Sequence, residues 1–227
     1  MLTLMLNSET ARCPACASYN SAIRSRQRRP LSYAIRRCQE CQLVFSDPMV
    51  AAGSAWYASS WLYDLREGNT VADGWNRLIP WTFAQALLRL KPSLGNRLLD
   101  VGCAEGQFLY LAKQVGFEVI GVDFNPTGLE IAKRLLGIST VYPYSVEELA
   151  DRFADAPYDV VTMFEVLEHT ADPFQTVCSL KKVMKPGGQL LLSVPGSGRW
   201  PALFHPRGRC AAAPPYAVDP GILAEDP

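Results

Sequence analysis

The chain has 227 residues, of which 48% are apolar, and its 22 Lys plus Arg balance its 22 Asp plus Glu. That much apolar side chain supports one core of ordinary size with a small appendage, and zero net charge gives no whole-molecule attraction to nucleic acid or an anionic membrane. No run approaches the ~20 apolar residues of a membrane span, and the opening MLTLML lacks a basic leader, so a cytoplasmic protein is expected.

In chain order, residues 11–50 carry two Cys-x-x-Cys pairs and little helical periodicity. Residues 51–92 read as a helical linker or lid. Its aromatic part holds Trp56, Tyr57, Trp61 and Tyr63, which either cover a site or pack one region on another, and its helix is LIPWTFAQALLRL over 78–90. From 93 to 196 the chain alternates. RLLDV is a buried strand ending at a glycine turn, QFLYLAKQVG a helix stopped by Gly116, and EVIGVD a second strand. TGLEIAKRLLG is a helix stopped by Gly137, and SVEEL opens another with a capping box from Ser145 to Glu148. YDVVTMF is a strand. DPFQTVCSLKKVMKPGG is a helix with Asp172 as N-cap, Pro173 at its first position and Pro-Gly-Gly at its end, and QLLLSVP is a fifth recognised strand. Such alternation predicts an α/β fold with a doubly wound, mostly parallel, Rossmann-like sheet. Over 197–227 no pattern supports further strands or a long helix, and an irregular Pro-rich tail is expected.

Ligands of an open parallel sheet bind outside the carboxyl ends of its strands, which selects the turn in LLDVGCAEGQF, residues 98–108. A phosphate loop needs Gly-Lys-Ser/Thr, absent here. A dinucleotide fingerprint needs glycine where Ala104 and Gln107 stand, and Asp100 and Glu105 would oppose an approaching pyrophosphate. A cationic, phosphate-free ligand such as S-adenosylmethionine fits those charges. Asp123, ending the second strand 17 residues after Gly106, is placed to accept ribose hydroxyls. A plain strand-to-helix turn needing positive φ is the bland alternative.

LLDVGCAEGQFL, VIGVDFNP, YDVVTMFEVLEHTADP and LKPGGQLLLSVP together resemble the successive motifs of class I S-adenosylmethionine-dependent methyltransferases, of the small-molecule type found in quinone biosynthesis. The likeness covers roughly residues 95–195. It implies that Asp100, Gly102 and Gly106 line the methionine end and that Asp123 holds the ribose. It places Phe124 and Asn125 by the adenosine and Ser145 and Val146 by the adenine, with Phe108, Phe164 and Glu165 counted in the same site. Cys103 is expected beside the cofactor as a small filler, and Ala104 stands where members often have glycine. Ser145 stands where members often have aspartate, which removes a contact to the adenine amino group. The family's sheet normally has seven strands, so the last two are expected to be missing, and the ending reads as truncated or frame-shifted.

Glu165, Glu168 and His169 follow the YDVVTMF strand and are the candidate catalytic residues. Histidine is the natural base near neutral pH, and Glu165 and His169 would share one face of a helical turn. Binding of a hard cation, or simple pinning of the turn, are the other readings. Methyl transfer at an activated sulfonium carbon also proceeds by alignment alone, so no base is obligatory.

Cys13, Cys16, Cys38 and Cys41 form two knuckles separated by 21 residues, a spacing for structural zinc in a small ribbon. The knuckles are followed by Ala17 and Gln42 where glycine is frequent. Ribbon plus methyltransferase resembles bacterial small-molecule and sugar enzymes beginning CPxC…CxxCxLVFxxP, and also a ribosomal RNA guanine methyltransferase that carries a histidine in its zinc site, absent here. The arginines at 24, 26, 28, 29, 36 and 37 are the one feature favouring RNA, against a solvated loop. The expectation is methyl transfer to a small-molecule acceptor, with an RNA acceptor or a silent cofactor-binding protein as alternatives.

Overall fold

The computed structural model describes residues 11–27, 33–49, 80–90, 95–146, 148–153 and 157–194. The aromatic part of the expected lid and the Pro-rich tail lie outside these residues, as do Arg28 and Arg29. The chain divides into two compact units. One comprises Met1–Ala51, Leu167–Phe174 and Val194–Pro227, the other Ala52–Val166 and Gln175–Ser193.

In the first unit, β1 (Ser21–Gln27), β2 (Tyr33–Cys38) and β3 (Val44–Asp47) form an antiparallel sheet in the order β1-β2-β3. The burial of β2 alternates strictly, so Ala34, Arg36 and Cys38 face inward. Cys13, Cys38, Leu43 and Phe45 make its small core. The buried Arg36 donates from Nε to Asp47 Oδ2 at 2.7 Å, so this arginine of the expected basic cluster is engaged inside the ribbon. Arg24 and Arg26 of that cluster are exposed on β1.

In the second unit, α1 (Trp81–Arg89) precedes β4 (Arg97–Val101), α2 (Gln107–Gln114), β5 (Glu118–Val122), α3 (Pro126–Leu136) and β6 (Val141–Tyr142). Then come α4 (Leu149–Phe153), β7 (Tyr158–Phe164) and, after a short 3-10 turn (Leu167–His169) that belongs to the first unit, α5 (Pro173–Lys182), in this unit from Gln175 onward, and β8 (Met184–Ser193). The five strands are all parallel, in the order β6-β5-β4-β7-β8, which is the doubly wound, Rossmann-like sheet expected from the alternation. Apolar runs become central strands because both faces are covered: β4 and β7 are buried almost throughout. Leu98, Phe108, Leu109, Ala112, Val119, Leu129, Ala132 and Val160 anchor the core.

The stops at Gly116 and Gly137 have positive φ, 96° and 63°, as the sequence predicts. The end of α5 differs. The helix stops at Lys182, and Pro186, Gly187 and Gly188 sit inside β8, where the register shifts between Tyr158↔Met184 and Val160↔Gln189. Asp159 holds this corner together: its Oδ1 accepts from Lys185 Nζ at 2.6 Å and its Oδ2 from the Arg97 backbone N–H at 3.0 Å. The attraction of Lys185 to a buried carboxylate draws the Met-Lys-Pro-Gly-Gly segment onto the sheet, a tertiary effect that turn propensities do not report.

Candidate active site and metal centre

At the carboxyl edge of the sheet, β4 runs into the turn Gly102–Gly106. Gly102 N and Cys103 N both donate to Val122 O, at 2.8 and 3.1 Å, and Gly106 N donates to Cys103 O at 2.8 Å. Ala104 N donates to Asp123 Oδ2 at 2.9 Å. The turn is therefore tied to β5 and to itself by the very donors a phosphate loop would aim at its ligand. The glycines have packing reasons. Gly102 has φ 76°, and a Cβ there would run into Val166; Gly106 has φ 77°, and a Cβ there would lie 2.9 Å from Ala132 Cβ on α3. Ala104 adopts φ 45° without being glycine, a conformation that stores about 1 kcal/mol or more and clusters at functional sites.

Two carboxylates dominate the edge. Asp123, 8% exposed, also accepts from Asn125 N at 2.7 Å through Oδ1, so it fastens the glycine turn to the end of β5. Asp100, 3% exposed, lies in the ladder between Gly121 and Thr162 and accepts from Thr162 Oγ1 at 2.7 Å. Burial pushes the Asp100 carboxyl up to about 7; the Thr162 hydroxyl opposes the rise and the Asp123 charge adds to it. Burial also raises Asp123, against its two backbone donors. The buried Cys103 thiol is driven upward by burial and by both carboxylates, which disfavours the thiolate. Neither aspartate has a basic side chain paired with it among the described residues. Two buried, uncompensated carboxylates form a site for positive charge.

The remaining expected residues separate by environment. Asn125 caps α3 by accepting from Thr127 N at 3.0 Å, while its Nδ2 is buried with no partner, an unused donor beside Asp123. Phe124 shows its ring at the surface, 38% exposed. Phe108 is 1% exposed and packs with Phe164 and Phe83 of α1 at 4.8 and 5.2 Å between ring centroids, which makes it a core residue supporting the turn from behind. Ser145 N donates to Glu148 Oε2 at 2.9 Å, the reach-back half of the expected capping box; Ser145 and Val146 are half-buried.

Glu165 is exposed, with φ 55°, and its Oε1 accepts from Ser193 Oγ at 2.8 Å. The 3-10 turn starts only at Leu167, so Glu165 and His169 do not share the helical face that their spacing suggested. Glu168 and His169 belong to the first unit, Glu165 to the second. Within the turn, His169 Nε2 lies 3.8 Å from Glu168 Oε1, and burial lowers the histidine pKa, which favours neutral imidazole. Thr162 escaped the sequence reading, although one hydroxyl inside YDVVTMF was a signal: a polar group in a fully buried strand needs a partner.

A family profile described as a methyltransferase domain matches residues 75–213. The chain belongs to this methyltransferase family. Among relatives in the family, ubiquinone biosynthesis O-methyltransferase of Proteus mirabilis is 41% identical over 103 residues, 44% of this chain and 42% of that protein. The enzyme of the same name from Xanthomonas campestris pv. campestris is 35% identical over 113 residues, 48% and 46% of the two chains. The methyltransferase chain described here thus spans under half the length of these two relatives. Among solved structures, the glycopeptide N-methyltransferase MtfA complexed with S-adenosylmethionine is similar at 20% identity and TM-score 0.44, covering 51% of this chain and 54% of that one. The plantazolicin methyltransferase BpumL with S-adenosylhomocysteine is similar at 20% identity and TM-score 0.43, covering 58% and 54%.

In the first unit, the Sγ atoms of Cys13, Cys16, Cys38 and Cys41 all lie within 4.8 Å of one another, with Cys13–Cys41 and Cys16–Cys38 at 3.5 Å. Four thiolates about 2.3 Å from one zinc ion stand roughly 3.8 Å apart, so the donor set fits a closed tetrahedral site. Ala17 and Gln42, the residues after each knuckle, have φ 61° and 64°. They take the left-handed turn that glycine usually serves, and Ala17 N donates back to Cys13 O at 3.0 Å. The departure from the usual knuckle sequence leaves its geometry intact.

Proposed function

We propose that this chain binds S-adenosylmethionine at the carboxyl edge of the sheet and transfers its methyl group to a small-molecule acceptor. The observation that carries the reading is the pairing of a glycine turn, its amides at Gly102, Cys103, Ala104 and Gly106 already engaged, with two buried carboxylates, Asp100 and Asp123, that no basic side chain pairs among the described residues. Such an edge disfavours phosphate and favours a ligand bearing an ammonium. When bound, the cofactor supplies a methyl group on a sulfonium, already activated for displacement.

The chain's residues then have separate tasks. Asp123 keeps a free lone pair on each oxygen beyond its two backbone donors, which suits a pair of ribose hydroxyls. Asp100 supplies negative charge toward the cationic end. Phe124 offers an aromatic face, and Asn125 Nδ2 a donor without a partner. Of the candidate catalytic residues, His169 is the one whose pKa burial lowers, the direction that favours a neutral imidazole base. The relatives named for O-methylation favour oxygen as the receiving atom. Cys13, Cys16, Cys38 and Cys41 hold zinc in a structural role.

Methyl-labelled cofactor incubated with the chain and a panel of hydroxyl-bearing small molecules tests this. Label is expected in an acceptor, with turnover reduced roughly 10²-fold or more in His169→Ala. Label appearing in RNA and in none of the small molecules would refute the small-molecule reading.

A further inference from the structure

Resting on the proposed cofactor site, we infer that Thr162 is the positioning residue that keeps Asp100 ionised for cofactor capture, so that cofactor binding is linked to proton release. Asp100 sits in the β4 ladder with Gly121 on one side and Thr162 on the other. Gly121 offers it no side chain. Thr162 is fully buried, and its hydroxyl is the donor to Asp100 Oδ1, at 2.7 Å; the same hydroxyl lies 3.5 Å from Leu99 O. The titratable groups facing Asp100 are Asp123 from the end of β5, which repels its charge, and Cys103 from the glycine turn, whose thiol stays protonated. No cation faces it among the described residues. One neutral hydroxyl therefore supplies the specific stabilisation of the Asp100 anion.

The consequence is a proton linkage. Burial leaves Asp100 titrating at about 7. The ligand-free site is therefore part protonated near neutral pH. A cationic ligand selects the ionised form and expels the proton. Removing the hydroxyl while keeping the shape, as in Thr162→Val, takes away a hydrogen bond to a charged group and moves the titration upward. Thr162→Ser keeps the donor.

The test is calorimetric titration of S-adenosylmethionine into the full chain between pH 5.5 and 9, in two buffers of different ionisation enthalpy so that proton release is counted directly. For the wild type, affinity is expected to fall about tenfold per pH unit below the midpoint near 7, with close to half a proton released at pH 7. Thr162→Val should bind roughly tenfold or more weaker at pH 7, recover at pH 9, and show its midpoint about one pH unit or more higher. Thr162→Ser should restore the wild-type profile, and Asp100→Asn should bind weakly with no midpoint in this range. Equal weakening of Thr162→Val at every pH, or wild-type binding without pH dependence, overturns the inference while leaving the cofactor site standing. Absence of wild-type binding at all pH values overturns the proposed function and this inference together.

Discussion

Asp100 and Asp123 work against the stability of the ligand-free protein, because burial favours their neutral forms. Both folded-state pKa values lie above the unfolded carboxylate. Their stabilising contribution is therefore complete below about pH 4 and lost as pH rises, through about 7 for Asp100. Asp100→Asn removes that loss. The variant is expected to be more stable than wild type at pH 8 by on the order of 2–4 kcal/mol, with little advantage at pH 4, read by urea unfolding without ligand. On the proposed function the same substitution is expected to weaken cofactor binding, a trade of stability for function. Ala17 gives a second residue-scale prediction. Its φ of 61° disfavours a side chain, and Ala17→Gly should raise the thermal stability of the zinc-loaded ribbon by about 0.5–1 kcal/mol.

At the scale of elements, close approach explains why certain positions lack a Cβ. The turn after β4 and the helix α3 meet at Gly106 and Ala132. Gly106→Ala combines positive φ with that contact and should cost about 2 kcal/mol or more, measured as a lowered melting temperature. The alternation of strand and helix, the glycine stops and the buried strands β4 and β7 were all legible from periodicity. So were the place of Asp123 at the end of β5 and the gathering of the four cysteines, because both follow from spacing along the chain. Less legible were features made by partners distant in sequence. The early end of α5 comes from Lys185 meeting Asp159. The loss of a shared helical face for Glu165 and His169 comes from the left-handed φ of Glu165. The core role of Phe108 comes from Phe83 and Phe164, and the role of Thr162 from lying level with Asp100 in a neighbouring strand.

For the whole molecule, one sequence gathers two sets of groups: four thiols in the ribbon and two buried carboxylates at the edge of the sheet. Metal removal should affect them differently. One zinc per chain is expected by elemental analysis, lost in Cys38→Ser and on chelation, with disappearance of the ribbon's protected amides in hydrogen exchange. No helix among the described residues is long and apolar enough to cross a membrane. The central claim is that the edge formed by Asp100, Asp123 and the self-bonded glycine turn takes a cation and refuses phosphate. Equilibrium binding of S-adenosylmethionine and of NAD, measured side by side on wild type and Asp123→Ala, tests it most directly. The account predicts that wild type binds S-adenosylmethionine and not NAD, and that Asp123→Ala loses that binding by roughly a hundredfold; NAD binding, or undiminished binding by Asp123→Ala, would contradict it.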